Sequence, residues 1–159
     1  MHVYIRSSLL VTGCADAAKG VPSLDYGGQG HCYALAHPGF GDPPHSWTDA
    51  RANCVLEFNG RLAWIEDKAT MVAILNWLNN TFKPIPLRYV SWVGLKKSGA
   101  DWAWFRADGS VDHVATYLPW HAGEPSGDGE CGSVMYYDGA LGLNDKLCSS
   151  IISSICQIY

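Results

Sequence analysis

Residues 120–148 read WHAGEPSGDGECGSVMYYDGALGLNDKLC and crowd oxygen donors into a short segment closed by two cysteines. A calcium ion takes roughly six to eight oxygen ligands in flexible geometry, so groups from two loops can hold it together. The segment is rich in glycine and has no helical periodicity, which predicts irregular surface backbone. We therefore expect an exposed binding loop organised by calcium. Its candidate donors are Glu124, Ser126, Glu130, Asn144 and Asp145.

Composition indicates the kind of protein that carries this loop. With 159 residues and 48% hydrophobic content, the chain can bury one core of ordinary size, so a single domain is expected. The formal charge is −4 and the basic residues are scattered, so nucleic acid is not an expected partner. No apolar run approaches the roughly 20 residues that a membrane span needs, so no span is expected.

Six cysteines in so short a chain, with no Cys-x-x-Cys pair, favour three disulfides over a zinc site. Because disulfides persist in oxidising compartments, we expect a secreted, extracellular protein. Spacing alone leaves the pairing of the cysteines open. His31, His37 and His45 are close in sequence but lack neighbouring carboxylates, so they are predicted to be surface residues and not zinc ligands.

Two helices are predicted in the first half of the chain. The first begins at Ser46, where Asp49 completes a capping-box-like start, and it ends at Gly60. The second follows Glu66 and Asp67 and ends before Pro84. Their apolar faces are Trp47, Ala50, Cys54 and Phe58 in the first helix, and Met71, Ile74, Leu75 and Leu78 in the second.

Strands dominate the rest of the chain. A short strand over Leu62 to Ile65 separates the helices, and Val90 to Leu95 is an apolar run typical of a buried strand. The segment from Trp102 to Phe105 leads into Asp108-Gly109, a two-residue hairpin signal. Without βαβ alternation, this order predicts an α+β fold with antiparallel pairing.

Two features concern processing in the secretory pathway. Residues 1–13 are either a signal remnant or an N-terminal strand through Val3 and Ile5, and their alternation favours the strand. Asn79-Asn80-Thr81 fits the glycosylation sequon near the predicted end of the second helix.

Further motifs stand in a recognisable order along residues 14–159. They are His31-Cys32-Tyr33, Ser46-Trp47 with Ala50 and Cys54, Trp92-Val93-Gly94-Leu95, Trp120 before Glu124-Pro125-Ser126, Glu130 before Cys131, and Asn144-Asp145 before Cys148. With these motifs, the chain resembles a C-type lectin-like domain of the long form. The resemblance implies a long calcium-binding loop region, a cis Pro125 and three disulfides. The implied pairs are Cys14–Cys32, Cys54–Cys156 and Cys131–Cys148.

The same resemblance implies the residues of the site. Calcium would be bound by Glu124, Ser126, Glu130, Asn144 and Asp145. Vicinal sugar hydroxyls would be bound by Glu124, Ser126, Glu130 and Asn144, with Lys146 at the rim, where it favours an anionic neighbour. The family's auxiliary calcium ligands would fall where this chain has Lys96 and Lys97, so we expect no second ion.

Two departures from the family pattern affect specificity and packing. Glu-Pro-Ser replaces the usual Glu-Pro-Asn, and a hydroxyl, unlike an amide, can donate or accept. Family members with the same Glu-Pro-Ser tripeptide can prefer galactose, so the resemblance slightly favours galactose-type over mannose-type glycans. Leu143 replaces a tryptophan, so we expect a looser loop that keeps its site. Core packing is expected for Trp92, Trp104 and Trp120, and a half-buried position for Tyr136 or Tyr137, one of which could instead face a sugar.

The prediction is a calcium-dependent lectin for vicinal sugar hydroxyls. The alternative is a lectin-like module that binds a protein or surface ligand without sugar recognition, which the serine and leucine changes favour. An enzyme is not expected, since no nucleophile elbow, phosphate-cradling loop or metalloprotease helix occurs. Because a shallow monosaccharide site binds weakly, we also expect a homo-oligomer.

Overall fold

The computed structural model describes residues 13–26, 31–36 and 44–158. It contains three helices in these ranges: α1 (Gly13–Ala17), α2 (Trp47–Phe58) and α3 (Lys68–Phe82). Helix α1 adds a short element to the two helices that were predicted. The predicted strand through Val3 and Ile5, and also His37, lie outside the described residues.

Both predicted helices begin and end for local reasons. The Ser46 hydroxyl accepts a hydrogen bond from the Asp49 amide, and α2 ends as Asn59 adopts a left-handed conformation with φ of 50°. The Asp67 carboxylate likewise accepts from the Thr70 amide at 2.7 Å, and α3 ends at Lys83, just before Pro84. The predicted apolar faces are buried, except that Leu75 is only partly buried and Trp77 joins the face of α3.

Nine strands form one mixed sheet within the described residues. They are β1 (Ser23–Asp25), β2 (Cys32–Ala36), β3 (Arg61–Leu62), β4 (Arg88–Ser98), β5 (Asp101–Phe105), β6 (Val111–Val114), β7 (Cys131–Tyr137), β8 (Ala140–Lys146) and β9 (Ser153–Ile158). The main order is β1-β2-β9-β4-β5-β6, while β3 pairs with β9, and β7 pairs with both β4 and β8.

Three strand predictions need correction. Pairing is antiparallel except between β4 and β9, which run parallel because the chain returns from the long loop region to lie between β2 and β4. The strand predicted over Leu62 to Ile65 is only Arg61–Leu62, since the Ala63 carbonyl turns to accept from the Gly94 amide of β4 at 2.8 Å. Asp108-Gly109 lies inside a five-residue loop, residues 106–110, and does not form a two-residue turn. The Asp108 carboxylate accepts from the Ser110 amide at 2.9 Å, so it closes an Asx turn within that longer loop.

The three disulfides join the elements as the resemblance implied. Cys14–Cys32 ties α1 to β2, Cys54–Cys156 ties α2 to β9, and Cys131–Cys148 closes the segment that contains β7 and β8. The second bridge spans 102 residues of sequence and the third only 17. The disulfides therefore fix α1 and α2 to the sheet and close the segment that carries β7 and β8.

Tryptophans fill the core below the loop. Trp92 and Trp104 are fully buried, as predicted, whereas Trp120 is partly buried and contacts Trp102 edge to face at 5.1 Å. Leu143 is also fully buried, and its amide donates to the Pro119 carbonyl at 2.9 Å. Leu143 therefore keeps this position within the core.

Candidate functional site

The candidate site is built on the irregular segment between β6 and β7. Its central feature is the cis peptide bond between Glu124 and Pro125, which confirms the prediction. Gly123 and Gly127 flank this bond with φ of 85° and 83°, a conformation that glycine adopts without steric cost. The Glu124 amide donates to the His121 carbonyl at 2.9 Å, so the turn before the cis bond is closed by backbone.

Asp145 anchors this loop to strand β8. Its Oδ1 accepts from the Ser126 amide and its Oδ2 from the Gly127 amide, both at 2.8 Å. The Ser126 hydroxyl lies 3.3 Å from the same Oδ1. Asp145 is only 1% exposed, and the hydrogen bonds from Ser126 and Gly127 hold its carboxylate in one position against the loop.

Asn144 brings an amide against Glu124 from the same strand. With its nitrogen toward Glu124, it donates to Oε1 at 3.0 Å and Oε2 at 3.1 Å. With the amide turned over, the nitrogen lies 3.4 Å from the Ser133 hydroxyl and the amide oxygen faces the carboxylate. The second orientation brings together only oxygen atoms, an arrangement that a cation stabilises.

Three carboxylates converge at this point. Glu124, Asp128 and Asp145 each offer an oxygen, and these oxygens lie within 4.8 Å of one another. Among the described residues, no other set of three or more such ligating side chains is this close. Asp128 was missed by the sequence interpretation, although its place between Gly127 and Gly129 marks it as a side chain on a tight turn.

Glu130 does not belong to this cluster, although the sequence pattern assigned it to the calcium site. The chain between Asp128 and Glu130 packs tightly on β8, since a Cβ on Gly129 would lie only 1.9 Å from the Lys146 carbonyl carbon. The Glu130 carbonyl then accepts from the Lys97 amide at 2.8 Å, which fixes it against β4. Its exposed side chain borders a neighbouring cavity of about 500 Å³ instead.

The carboxylates of Glu124 and Asp145 titrate differently. Burial raises the pKa of Glu124, and its contact with Asp145 raises it further. Burial also acts to raise the pKa of Asp145, but contact with Glu124 and hydrogen bonds from the backbone amides of Ser126, Gly127 and Gly129 outweigh it and lower that pKa. Backbone amides therefore favour the charged form of Asp145, the form in which a carboxylate binds a metal.

The remaining candidates lie around this centre. Lys146 is half-buried at the end of β8 and lines neither of the two cavities that border the cluster. Tyr136 packs partly against the core, whereas Tyr137 is 52% exposed and lines a cavity that it shares with Glu124. The Lys96 ammonium lies over the Trp47 ring at 5.2 Å.

Comparison with known proteins identifies the family. A model described as the Lectin C-type domain matches residues 43–158, so the chain belongs to the C-type lectin domain family. A curated relative, C-type lectin domain family 4 member A of Rattus norvegicus, is 28% identical over 130 residues, which are 80% of this chain and 50% of the relative. The chain thus spans about half the length of that relative.

Solved structures share the fold. Human lithostathine superposes with a TM-score of 0.67 at 21% identity, over 86% of this chain and 88% of the other. The C-type lectin domain of murine dendritic cell inhibitory receptor 2, solved in complex with an N-glycan, has a TM-score of 0.66 at 24% identity, over 86% and 95%. The lectin CEL-I of Cucumaria echinata has a TM-score of 0.61 at 20% identity, over 86% and 94%. Within the described part of the chain, no helix is both long and apolar enough to span a membrane.

Proposed function

We propose that this chain is a calcium-dependent lectin that binds vicinal hydroxyls of a sugar at the cluster around Glu124. The observation that carries the proposal is the convergence of the Glu124, Asp128 and Asp145 carboxylates within 4.8 Å, with the Asn144 amide beside them. Like charges this close repel one another unless a proton or cation lies between them. The loop therefore has the chemistry of a cation site.

The donor set fits calcium better than other common ions. All of its donors are oxygens, so the site lacks the nitrogen and sulfur ligands that zinc prefers. They come from an irregular loop and a strand, so the geometry suits calcium more than magnesium, which demands a near-ideal octahedron. We assign the ion to Glu124, Asp128, Asn144 and Asp145, with the Ser126 hydroxyl beside them. Glu130 and Lys146, which the family resemblance implied, are assigned to the border of the site.

The same side chains would recognise the sugar. The bound ion would supply direct coordination of two neighbouring hydroxyls. A carboxylate such as Glu124 accepts a hydrogen bond from a sugar hydroxyl, and the Asn144 amide donates a hydrogen bond to a hydroxyl oxygen. The backbone bonds from Ser126 and Gly127 to Asp145 keep these groups aligned without the sugar. Little ordering is then required when the ligand binds.

Two residues support a slight preference for galactose over mannose. The usual Glu-Pro-Asn pattern of mannose-type sites has an asparagine amide with a fixed donor at this position. The Ser126 hydroxyl can donate or accept, so that fixed donor is absent here. The exposed ring of Tyr137 offers an aromatic face near Glu124, on which the apolar side of a galactose ring could pack. The same ring would remain available to mannose-type glycans, so the preference is small.

Relatives and composition support the class of function. The murine receptor domain was solved with an N-glycan, and another structural neighbour is an SPL-1–GlcNAc complex, so glycans are partners of other proteins with this fold. Three disulfides indicate an oxidising, extracellular location. We further propose that the domain is not an enzyme and works as a homo-oligomer, because avidity compensates for weak single sites.

The alternative is a lectin-like module that binds a protein or surface ligand without sugar. It is favoured by Ser126 and Leu143, the two departures from the usual sugar-binding pattern. Affinity chromatography on immobilised galactose and mannose separates the two functions. The lectin should be retained with calcium and eluted by a chelator, while Glu124→Gln should pass through. Folded protein that passes through all sugar columns in calcium would support the alternative.

A further inference from the structure

A second cavity, of about 310 Å³, shares Glu124 with the donor cluster. It is lined by Arg88, His121, Ala122, Glu124, Met135 and Tyr137. A ligand seated on the cluster would therefore extend directly into this cavity if it carried another group beside the bound hydroxyls. The chemistry of the lining indicates which group that is.

Arg88 gives the cavity a positive charge. It is the exposed first residue of β4 and lies opposite Tyr137 in the pairing with β7. The ion pairs found among the described residues involve Arg106 and His113, and none joins a carboxylate to the Arg88 guanidinium within 4.0 Å. An arginine without an internal partner can use its planar fork for a carboxylate or sulfate of a ligand.

The rest of the cavity lining is partly aromatic and is held by a hydrogen bond between His121 and Tyr137. His121 Nε2 lies 2.8 Å from the Tyr137 carbonyl, which ties the loop before Glu124 to the end of β7. Gly142 leaves room for this contact, since a Cβ there would lie 2.6 Å from the His121 amide nitrogen. Tyr137 is thus held while half of its surface stays exposed, and its ring can cover the apolar face of a sugar.

We infer that the Arg88 cavity binds the acidic substituent of a saccharide, a carboxylate or a sulfate ester, whose neighbouring neutral sugar is held at the Glu124 cluster. The inference rests on the proposed function, since it places one end of the ligand on that cluster. It assigns selectivity for acidic glycans to Arg88, where the sequence pattern indicated Lys146.

The charges around the cluster favour this cavity over its larger neighbour. The cavity of about 500 Å³ carries Lys97, but it is also lined by Glu130, whose carboxylate lies outside the calcium cluster and offsets the lysine even when the ion neutralises Asp128 and Asp145. In the Arg88 cavity the sole carboxylate is that of Glu124, which already accepts from the Ser126 amide at 2.9 Å. An acidic group is therefore attracted to Arg88 and disfavoured beside Lys97.

The test is calorimetric titration with neutral, sialylated and sulfated forms of one galactoside in saturating calcium. The wild type should bind at least one acidic form about fivefold to tenfold more tightly than the neutral form. Arg88→Gln should remove this advantage and leave neutral binding within about twofold. Arg88→Lys should keep part of the advantage, because the charge remains but the fork is lost. Lys97→Gln and Lys146→Gln are the matched controls and should retain it.

The outcomes separate this inference from the proposed function. The acidic form that binds more tightly than the neutral one, sialylated or sulfated, shows whether the cavity takes a carboxylate or a sulfate ester. If the wild type binds the neutral sugar in calcium with no preference for either acidic form, the inference about Arg88 is wrong and the lectin function stands. The inference is also overturned if Arg88→Gln keeps the preference, whatever the effect of Lys97→Gln or Lys146→Gln. A wild type that binds no sugar in calcium overturns both proposals.

Discussion

The Ser126 amide donates to Asp145 Oδ1 at 2.8 Å, and this bond joins the cis-proline loop to strand β8 across 19 residues of sequence. It is reinforced by the Gly127 amide, which donates to the other oxygen of the same carboxylate. The buried strand thus positions the exposed loop, and Glu124 is brought beside Asn144 as a result. The proposed site depends on this coupling between a rigid strand and an irregular loop.

Calcium should stabilise the folded protein. Because the ion would relieve repulsion among Glu124, Asp128 and Asp145 and bind only the folded state, mass action raises the free energy of unfolding. At calcium about 100-fold above its Kd, we expect a melting temperature roughly 5 °C or more above that in chelator. Differential scanning calorimetry measures the shift, and magnesium at equal ionic strength is the control. Identical melting in calcium and chelator would contradict the metal assignment.

Asp128 and Glu130 should differ sharply as calcium ligands. Asp128→Asn removes a carboxylate from the cluster and should lower calcium affinity by about tenfold or more. Glu130→Gln, a matched charge removal two residues away, should leave the affinity within about twofold, because its carboxylate lies outside the cluster. Calcium titrations followed by calorimetry give both values. A larger loss of calcium affinity in Glu130→Gln than in Asp128→Asn would show that Glu130, and not Asp128, is a calcium ligand.

The two disulfides of the domain body should have separable roles. Cys54–Cys156 closes a span of 102 residues within the core, so replacing both cysteines by serine should cost roughly 2–5 kcal/mol of unfolding free energy. Cys131–Cys148 closes 17 residues around the site, and its loss should mainly weaken calcium binding. Urea unfolding and calcium titration on each double variant compare the two roles. A larger loss of stability in the Cys131/Cys148 variant would refute this division.

His113 should make stability depend on pH. Its ring lies 2.6 Å from Asp112 Oδ2 and 2.5 Å from Glu66 Oε1, and it contacts the Trp64 ring edge to face, while Arg106 pairs with the same Asp112. The hydrogen bond to Asp112 chiefly, and that to Glu66, raise the pKa of His113. A raised histidine pKa gives stability that is present below the unfolded pKa and lost as pH rises through the folded pKa.

The measurement for His113 is the melting temperature of His113→Gln against wild type between about pH 5.5 and 8.5. The variant should be less stable than wild type at the acidic end, and the gap should narrow as pH rises through the raised pKa. Glu66→Gln removes one acidic partner and should reduce the pH dependence. A gap that widens toward pH 8.5 would show that the charged imidazole is not the stabilising form.

Local patterns predicted the two long helices and their buried faces. Ser46 and Asp67 are side-chain caps whose partners lie three residues along the chain, so their effects can be read from sequence. The spacing of Trp47 and Cys54 likewise reports one buried helix face. The disulfides and the cis Pro125 followed from the family resemblance and could not have been derived from spacing.

Contacts distant in sequence were harder to predict. Glu130 and Asp128 are both acidic and two residues apart, and only the packing of Gly129 on Lys146 determines which of them faces Glu124. Arg88 is the first residue of β4 and is far from the loop in sequence, so no local pattern connects it with Glu124. The parallel pairing of β4 with β9 also depends on the path of the whole chain.

Sugar binding should require calcium at the Glu124 cluster, and titration calorimetry with galactose and mannose measures this dependence. With saturating calcium, we expect heat of binding for at least one of the two sugars, no binding in excess chelator, and recovery when calcium is restored. Glu124→Gln should show no binding in either condition while unfolding cooperatively. Sugar binding that persists undiminished in chelator, or its absence from folded, calcium-saturated wild-type protein, would refute the proposed calcium-dependent site.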